Sequence, residues 1–437
     1  MINSSLKQSL PFAVKTAALA GALCCAGFTL AQTTGPDVTL YGLADAGITS
    51  TSGLKNGTVT QLASGIMEGS RWGMKGTEDL GGGYKTIFTL EARVELDTGA
   101  NSSSPISNPQ LSDRFSKSAL LFPTLPVPMQ AALQPIVTAV DGALAREFGV
   151  NVGADGNRYF DRQAYVGLIT PVGAVLAGRM YTPGFETNVM YDIMETQSGL
   201  SAGQIVAFPA VLEIRKSNAL QYRIVKDGIS GAFMYALGEQ TGGDSQKRMF
   251  GFNANYKTDV FSVGLAYNHA NNELGQKSLT STVLGASMNL GASKVSAMAI
   301  KITDDNPSDM SKIGILLSAN PATAPYAATV QGAFTNAFKQ DGLLMHLGYR
   351  VVAGPHTLSA AYTTYDDKRP ANADISSYGA AYTYALSKRT DLNAVLVHYD
   401  NKNLAQVAPG GNGYIGGVTA TAGTDSNALQ LGVRHRF

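Results

Sequence analysis

Apolar and polar residues alternate along this chain in segments of about 8 to 12 residues, the period-2 signal that sends successive side chains to opposite faces of a strand. Between Asp37 and Ile48 the residues Val38, Leu40, Gly42, Ala44, Ala46 and Ile48 form one face, with Thr39, Tyr41 and Asp45 on the other. The stretch from Ser70 to Thr77 sets Trp72 and Met74 against Arg71 and Lys75. After a glycine-rich turn ending at Gly83, Tyr84, Thr86, Phe88 and Leu90 oppose Lys85, Thr89, Glu91 and Arg93. Charge and apolarity separate by parity. Later segments repeat it: Phe250, Phe252 and Ala254 oppose Asn253 and Asn255, and Leu358, Ala360 and Tyr362 oppose Thr357, Ser359 and Thr363.

The pattern predicts about 16 strands, beginning at about residues 37, 70, 83, 161, 174, 216, 229, 248, 260, 279, 293, 341, 355, 375, 390 and 425. Very short turns such as Pro171-Val172-Gly173 alternate with longer Gly- and Asn-rich connections. The final strand alternates up to Phe437, which in a soluble sheet would leave a sticky edge. The expected fold is therefore all-β: a transmembrane antiparallel β-barrel of about 16 strands, closed by pairing the last strand with the first. Short turns face the periplasm, long loops face outward, and Phe437 sits at the membrane interface as a C-terminal insertion signal. Three long connections stand out: 97–160, 182–215 and 302–340. Within the first, Met129, Leu133, Ile136, Val137 and Val140 have helical spacing. The first and third either decorate the surface, or cap the pore mouth or clasp a neighbouring subunit.

The N-terminus is expected to be a signal peptide, residues 1–31, with Lys7 and Lys15 ahead of an uncharged run to Leu30 and cleavage near Ala31. No leucine stands three places before Cys24 or Cys25, so a lipoprotein signal is disfavoured and both cysteines leave with the leader. Residues 32–437 then form a single barrel domain. Removing the two lysines leaves 31 basic residues (33 minus 2) against 32 acidic ones. With no polybasic block, nucleic acid is not an expected partner. No apolar run of about 20 residues follows the leader, and a mean hydropathy near zero suits a barrel that hides its apolar residues in every second position.

Several stretches carry a family resemblance: Val38-Thr39-Leu40-Tyr41-Gly42, Ser70-Arg71-Trp72-Gly73-Met74-Lys75-Gly76, Arg162-Gln163-Ala164-Tyr165, Gly178-Arg179-Met180-Tyr181, Leu386-Ser387-Lys388-Arg389-Thr390 and Gly432-Val433-Arg434-His435-Arg436-Phe437. In this order the chain resembles the general trimeric porins of Gram-negative outer membranes, particularly the β-proteobacterial branch. The resemblance implies a passive, water-filled channel for small hydrophilic solutes and ions, assembled as a homotrimer. It also implies outer-membrane lipid, lipopolysaccharide and the barrel-assembly machinery as partners, no cofactor, and no enzymatic step. The third extracellular loop, from Thr182, is expected to fold into the lumen and build a constriction. By motif position Arg71, Lys75, Arg162, Arg179 and Arg223 form its basic wall, and Asp192 and Glu195, with Glu186 behind them, its acidic loop. The chain departs from the family in the long 97–160 insertion and in the acidic tip of the third loop.

Facing charges in a constriction order water and orient polar solutes, and a basic excess favours anions. Arginine at mid-bilayer on the lipid side costs roughly 2 to 4 kcal/mol, which points these side chains inward. The plainer alternative is that Arg71, Arg162, Arg179 and Arg223 cap polar wall, or pair with Glu91 and loop carboxylates to tie it together. Other readings are a specific channel for an anionic metabolite, a loop-plugged structural or adhesive barrel, and a barrel enzyme. The last lacks a convergent Ser/His/acid set. Gly411-Asn412-Gly413-Tyr414-Ile415-Gly416 matches G-x-G-x-x-G without a βαβ context. His269, His346, His356, His398 and His435 are scattered, so no metal site is expected. Asp304-Asp305-Asn306 reads as solvated loop. Tyr181, Tyr256, Tyr267, Tyr349 and Tyr399 are candidate interfacial girdle residues.

Overall fold

A computed structural model describes residues 37–147, 152–153, 158–206, 213–241 and 243–437. The expected leader and its cysteines lie outside the described residues. Sixteen antiparallel strands form the barrel: β1 (Asp37–Leu54), β2 in two stretches (Gly57–Ser64 and Arg71–Gly81), β3 (Tyr84–Arg93), β4 (Gln163–Thr170), β5 (Gly173–Tyr181), β6 (Arg215–Lys226), β7 (Ile229–Ala236) and β8 (Met249–Lys257). The wall continues with β9 (Phe261–Asn271), β10 (Lys277–Leu290), β11 (Ser293–Asp304), β12 (Gln340–Ala353), β13 (His356–Asp367), β14 (Ile375–Ala385), β15 (Thr390–Asn401) and β16 (Ser426–Arg436). Every expected strand is present. Starts agree within two residues, except that the Gly57–Ser64 half of β2 has no counterpart among the expected strands.

Closure runs through β1 and β16, from Leu43 opposite Arg436 to Thr51 opposite Ala428. Phe437 extends the seam, donating its N–H to Gly42 O and accepting from Gly42 N, each at 3.1 Å. Its exposed ring covers Gly42, where a Cβ would meet ring atoms at 2.2 Å. Parity holds as expected. Val38, Leu40, Trp72, Val166, Leu284, Tyr349 and Leu431 are exposed on the outer face, whereas Asp45, Arg71, Glu91, Ser281, Ser296, His346 and Gln430 are buried on the inner one. Two tyrosines depart from the girdle expectation. Tyr399 is fully buried, donating to Gly199 O at 2.6 Å, and the Tyr181 hydroxyl accepts from arginines inside the barrel.

The turns at one end are short. At the other end eight loops connect the strands: L1 (55–56), L2 (94–162), L3 (182–214), L4 (237–248), L5 (272–276), L6 (305–339), L7 (368–374) and L8 (402–425). L2 carries α1 (Asp113–Ser116), α2 (Ser118–Leu121) and α3 (Val127–Glu147), the last covering the predicted helical spacing. L3 carries α4 (Pro183–Tyr191), and L6 carries α5 (Ser311–Ser318) and α6 (Ala327–Phe338). The L2 and L6 helices bury one shared apolar core, with Phe115, Leu133, Val137 and Val140 from L2 against Ile313, Leu317, Val330 and Phe334 from L6. Neither loop could bury its stripe alone, since a short helix gains stability mainly from packing an apolar face. The two insertions therefore fold as one cap.

Asp141 of α3 is poorly accommodated within that cap. Its Oδ1 is buried with no hydrogen-bond partner among the described residues. Burial pushes the carboxyl up to about 6, with Lys55 and a backbone hydrogen bond from Leu111 pulling the other way. Because the folded value exceeds the ordinary one of about 3.9, the protonated side chain stabilises the cap below about pH 4 and that contribution is lost as pH rises through about 6. Asp141→Asn is expected to slow amide exchange in α3 at neutral pH, with the difference from wild type vanishing near pH 4. Equal protection at neutral pH would contradict this.

Candidate functional site

The barrel ladder is interrupted inside β2. Its two stretches pair with opposite halves of β1, Ser64 facing Ala46 and Arg71 facing Leu43, while residues 65–70 leave the wall and turn inward. Asp45 holds them there. Oδ1 accepts from Ile66 N at 2.9 Å, and Oδ2 from Met67 N and Glu68 N at 3.0 and 2.8 Å. Ser70 replaces the missing ladder partner, its Oγ accepting from Asp45 N at 3.0 Å and donating to Asp45 O at 2.8 Å.

This turn delivers Glu68 into a cluster of arginines. Its Oε1 lies 2.8 Å from Arg71 Nη2, and its Oε2 lies 2.8 Å from Arg434 Nη1 and 3.1 Å from Arg436 Nη2. Asp391 of β15 binds the same two β16 arginines at 3.1 and 3.0 Å. On the other side Arg71 approaches Glu91 at 3.6 Å. Glu91 accepts from Arg162 Nε at 2.8 Å and from the Tyr41 hydroxyl at 3.0 Å. Arg162 and Arg215 both donate to the Tyr181 hydroxyl, at 3.1 and 3.0 Å, and the Arg215 guanidinium lies 4.6 Å from the Tyr181 ring centroid. The result is a strip of alternating charge along the inner wall from β15 to β6. Charge-assisted bonds of this kind are short and directional.

L3 forms the opposing surface. Thr182 caps α4, its Oγ1 accepting from Phe185 N at 3.3 Å. The helix lies inside the barrel against β8 to β11. Asn253 donates to Pro183 O at 3.2 Å, Gly184 N to Asn268 Oδ1 at 3.1 Å, and Ser296 Oγ to Tyr191 O at 2.5 Å. Inward glycines make the seat. A Cβ at Gly285 would meet the Tyr191 ring at 2.2 Å, and one at Gly348 would meet Ile193 at 2.1 Å. Beyond the helix, the loop tip packs Ile193, Met194, Leu200 and Ile205 with Ile66, Met67, Ile375 and Tyr399. L8 meets it from the far side. Asn412 Oδ1 accepts from Gly69 N at 2.7 Å, and Gln430 Nε2 donates to Gly410 O at 2.7 Å. The G-x-G-x-x-G match is thus packing surface, since a Cβ at Gly413 would strike Ser64 O at 2.4 Å.

The expected basic residues occupy different situations. Arg71 and Arg162 are buried and paired with Glu68 and Glu91. Arg179 donates to Asp161 O at 2.6 Å and Ser217 Oγ at 3.0 Å. Arg223 is ion-paired directly with Glu186 of α4. Lys75 is exposed on the inner face, 5.5 Å from the Tyr41 ring centroid. Among the acids, Glu195 faces Arg350 of β12 at 2.6 Å. Asp192 departs from its assignment. It is fully buried, accepts from Met194, Thr196 and Ala202 N–H groups at 2.9 to 3.2 Å, and lies 3.5 Å from His346 Nε2, so it folds the loop instead of facing the lumen.

Glu68, Asp391, Arg434, Arg436, Arg215, Lys294 and Arg350 are wall residues that motif position does not single out. Strand parity is the available signal for Arg215, Arg434, Arg436, Lys294 and Arg350. Glu68 has none, because its segment interrupts a strand.

A family model described as Gram-negative porin matches residues 16–404. Outer membrane porin protein 32 of Delftia acidovorans is 25% identical over 433 residues, covering 95% of this chain and 97% of that protein. An outer membrane porin protein of Bordetella pertussis is 24% identical over 465 residues, covering 97% of this chain and 100% of that protein. Among solved structures, an anion-selective porin from Comamonas acidovorans superposes with a TM-score of 0.64 at 22% identity, covering 92% of this chain and 100% of that one.

Two substitutions test this geometry. Glu68→Gln leaves three guanidiniums short of one carboxylate; breaking a buried pair costs about 3 to 5 kcal/mol, so the barrel should unfold at lower temperature in detergent. An unchanged midpoint would show that the network is stabilising nothing. Gly285→Val drives a side chain into Tyr191 and should displace L3, read as a higher single-channel conductance; a conductance equal to wild type would rule out that seat.

Proposed function

The chain belongs to the Gram-negative porin family, and from that premise we propose a trimeric diffusion channel with a bias toward small hydrophilic anions. As an outer-membrane porin it is a passive, water-filled barrel. The family and fold suit a channel rather than an enzyme. The observation that carries the anion bias is the balance of groups along the inner wall. Lys75, Arg215 and Lys294 have no ion pair among the described residues, whereas Glu186 and Glu195 are each met by an arginine. Water reaching the lumen therefore meets a cationic excess.

In this reading L3 supplies the constriction. Its Glu186 and Glu195, with the basic residues of β2 and β6, set a transverse field that orients a polar solute while wall charges screen it. Lys75 and Arg223 contribute directly; Arg71, Arg162 and Arg179 act mainly by holding the charged strip in place; Asp192 acts by shaping the loop. Phe437 is proposed as the terminal signal for insertion, consistent with its ring lying on the outer face. The trimer is supported by family membership, and a structural neighbour, OmpT of Vibrio cholerae, is described in a trimer form. Cleavage of the leader near Ala31 and contacts with lipopolysaccharide and the assembly machinery belong to the same proposal.

The inward packing of residues 65–70, L3 and L8 favours one further outcome, a restricted or plugged lumen. Planar-bilayer recording under a KCl gradient separates the readings. Steady openings with chloride preferred over potassium are expected. A charge acting at about 4 Å through water is worth about 1 kcal/mol, so Lys75→Gln with Lys294→Gln should lower the chloride preference severalfold. Absence of conductance would bring the plugged barrel forward, and unchanged selectivity in the double variant would remove these lysines from the filter.

A further inference from the structure

The cap brings an unusual cation to the extracellular mouth. Arg114 of α1 sits where L2 meets β13, L7 and L8. The carboxylate beside it, Asp367, is already saturated. It binds Arg369 Nε and Nη2 at 2.8 and 3.0 Å and accepts from the backbone N–H groups of Arg369 and Ala373 at 3.2 and 3.1 Å. Arg114 Nη1 approaches it only to 3.7 Å, too long for a hydrogen bond. The guanidinium carbon also lies 4.6 Å from the Phe115 ring centroid. Burial, with Arg369 alongside, holds Arg114 down to about 10.

Solvent reaches this cluster from the positive side. The Arg114 and Arg369 side chains keep 15% and 12% of their surface accessible, whereas Asp367 keeps none. Both arginines line a cavity of about 60 Å³ together with Gln110, Ser112, Gln340 and Tyr365. A buried water needs roughly 10–15 Å³ measured in this way, so the space admits several waters or one small oxyanion. Asp367 is sealed and Asp374 Oδ1 is taken by Asp367 N at 2.8 Å, while Arg369 also donates to Ala337 O at 3.1 Å. The Arg114 guanidinium makes no hydrogen bond among the described residues, and such a fork matches the spacing of carboxylate or phosphate oxygens.

We propose that Arg114 and Arg369 form a binding site for a small oxyanion at the extracellular mouth, separate from the constriction and built by the L2 insertion. Large or branched anions are excluded by the size of the cavity. Binding there would also give the Arg114 guanidinium the partner it lacks and so tighten the junction of L2 with β13. The site does not depend on conduction.

Isothermal titration of inorganic phosphate into the full-length protein in detergent, buffered with HEPES, tests it directly. Saturable binding of one phosphate per chain is expected, weakened at least tenfold in Arg114→Gln and unchanged in Lys388→Gln, an exposed residue of a short turn away from both sites. Equal binding by wild type and Arg114→Gln, or no saturable binding by wild type, would overturn the site. A second measurement needs no variant. Phosphate should slow phenylglyoxal modification of Arg114 in the wild-type protein, followed by peptide mass spectrometry, and an unaltered rate would also refute the proposal. Neither readout involves channel opening, so a failed site and a failed porin reading are told apart.

Discussion

Inside a bilayer every backbone N–H and C=O must find a partner within the protein, since no water is present to take its place. That requirement closes the barrel and also explains how it tolerates the interruption of β2. Residues 65–70 abandon the wall, which strips part of β1 of its neighbour. Asp45 and Ser70 make good the loss, the hydroxyl taking over a ladder bond and the carboxylate gathering three N–H groups of the departing turn. Once the turn is fixed, Glu68 has a defined position. The arginines of β2 and β16 order around it, and the inner surface acquires its alternating charge.

L3 depends on a second, steric constraint. A loop can lie against the inside of a strand wall only where the wall offers depth, and at Gly264, Gly285 and Gly348 the absent side chains supply it. Tyr191 and Ile193 fill those positions. The polar face of the same wall, Asn253, Asn268 and Ser296, ties the helix backbone, so shape and hydrogen bonding select one placement together.

Much of this is legible in the sequence because strand parity is a local property. Alternation at Arg71, Lys75 and Glu91 reveals both the strands and the inward direction of their charges, and the helical spacing around Leu133 and Val137 marks α3. What stays hidden depends on contacts between distant segments. Asp192 and Glu195 are three residues apart in one loop, yet one is enclosed by backbone N–H groups and the other meets Arg350. Composition cannot separate them. Tyr181 and Tyr399 look like interfacial aromatics at strand ends, but an arginine pair and the carbonyl of Gly199 draw them inward. The first half of β2 is hidden for a related reason: its interruption breaks the alternation that would have announced it.

The seam between the first and last strands has a consequence for assembly. Glu68 is encoded early in the chain and its partners Arg434 and Arg436 at the very end, with Asp391 shortly before them. Until the final strand docks, Glu68 has only Arg71, and Asp391 lacks both of its arginines. Pairing β16 with β1 therefore completes the hydrogen-bond ladder and neutralises the interior in one event. A barrel that stops short of its last strand is left with an open edge and unbalanced carboxylates together, so incomplete chains carry two independent marks of their own incompleteness.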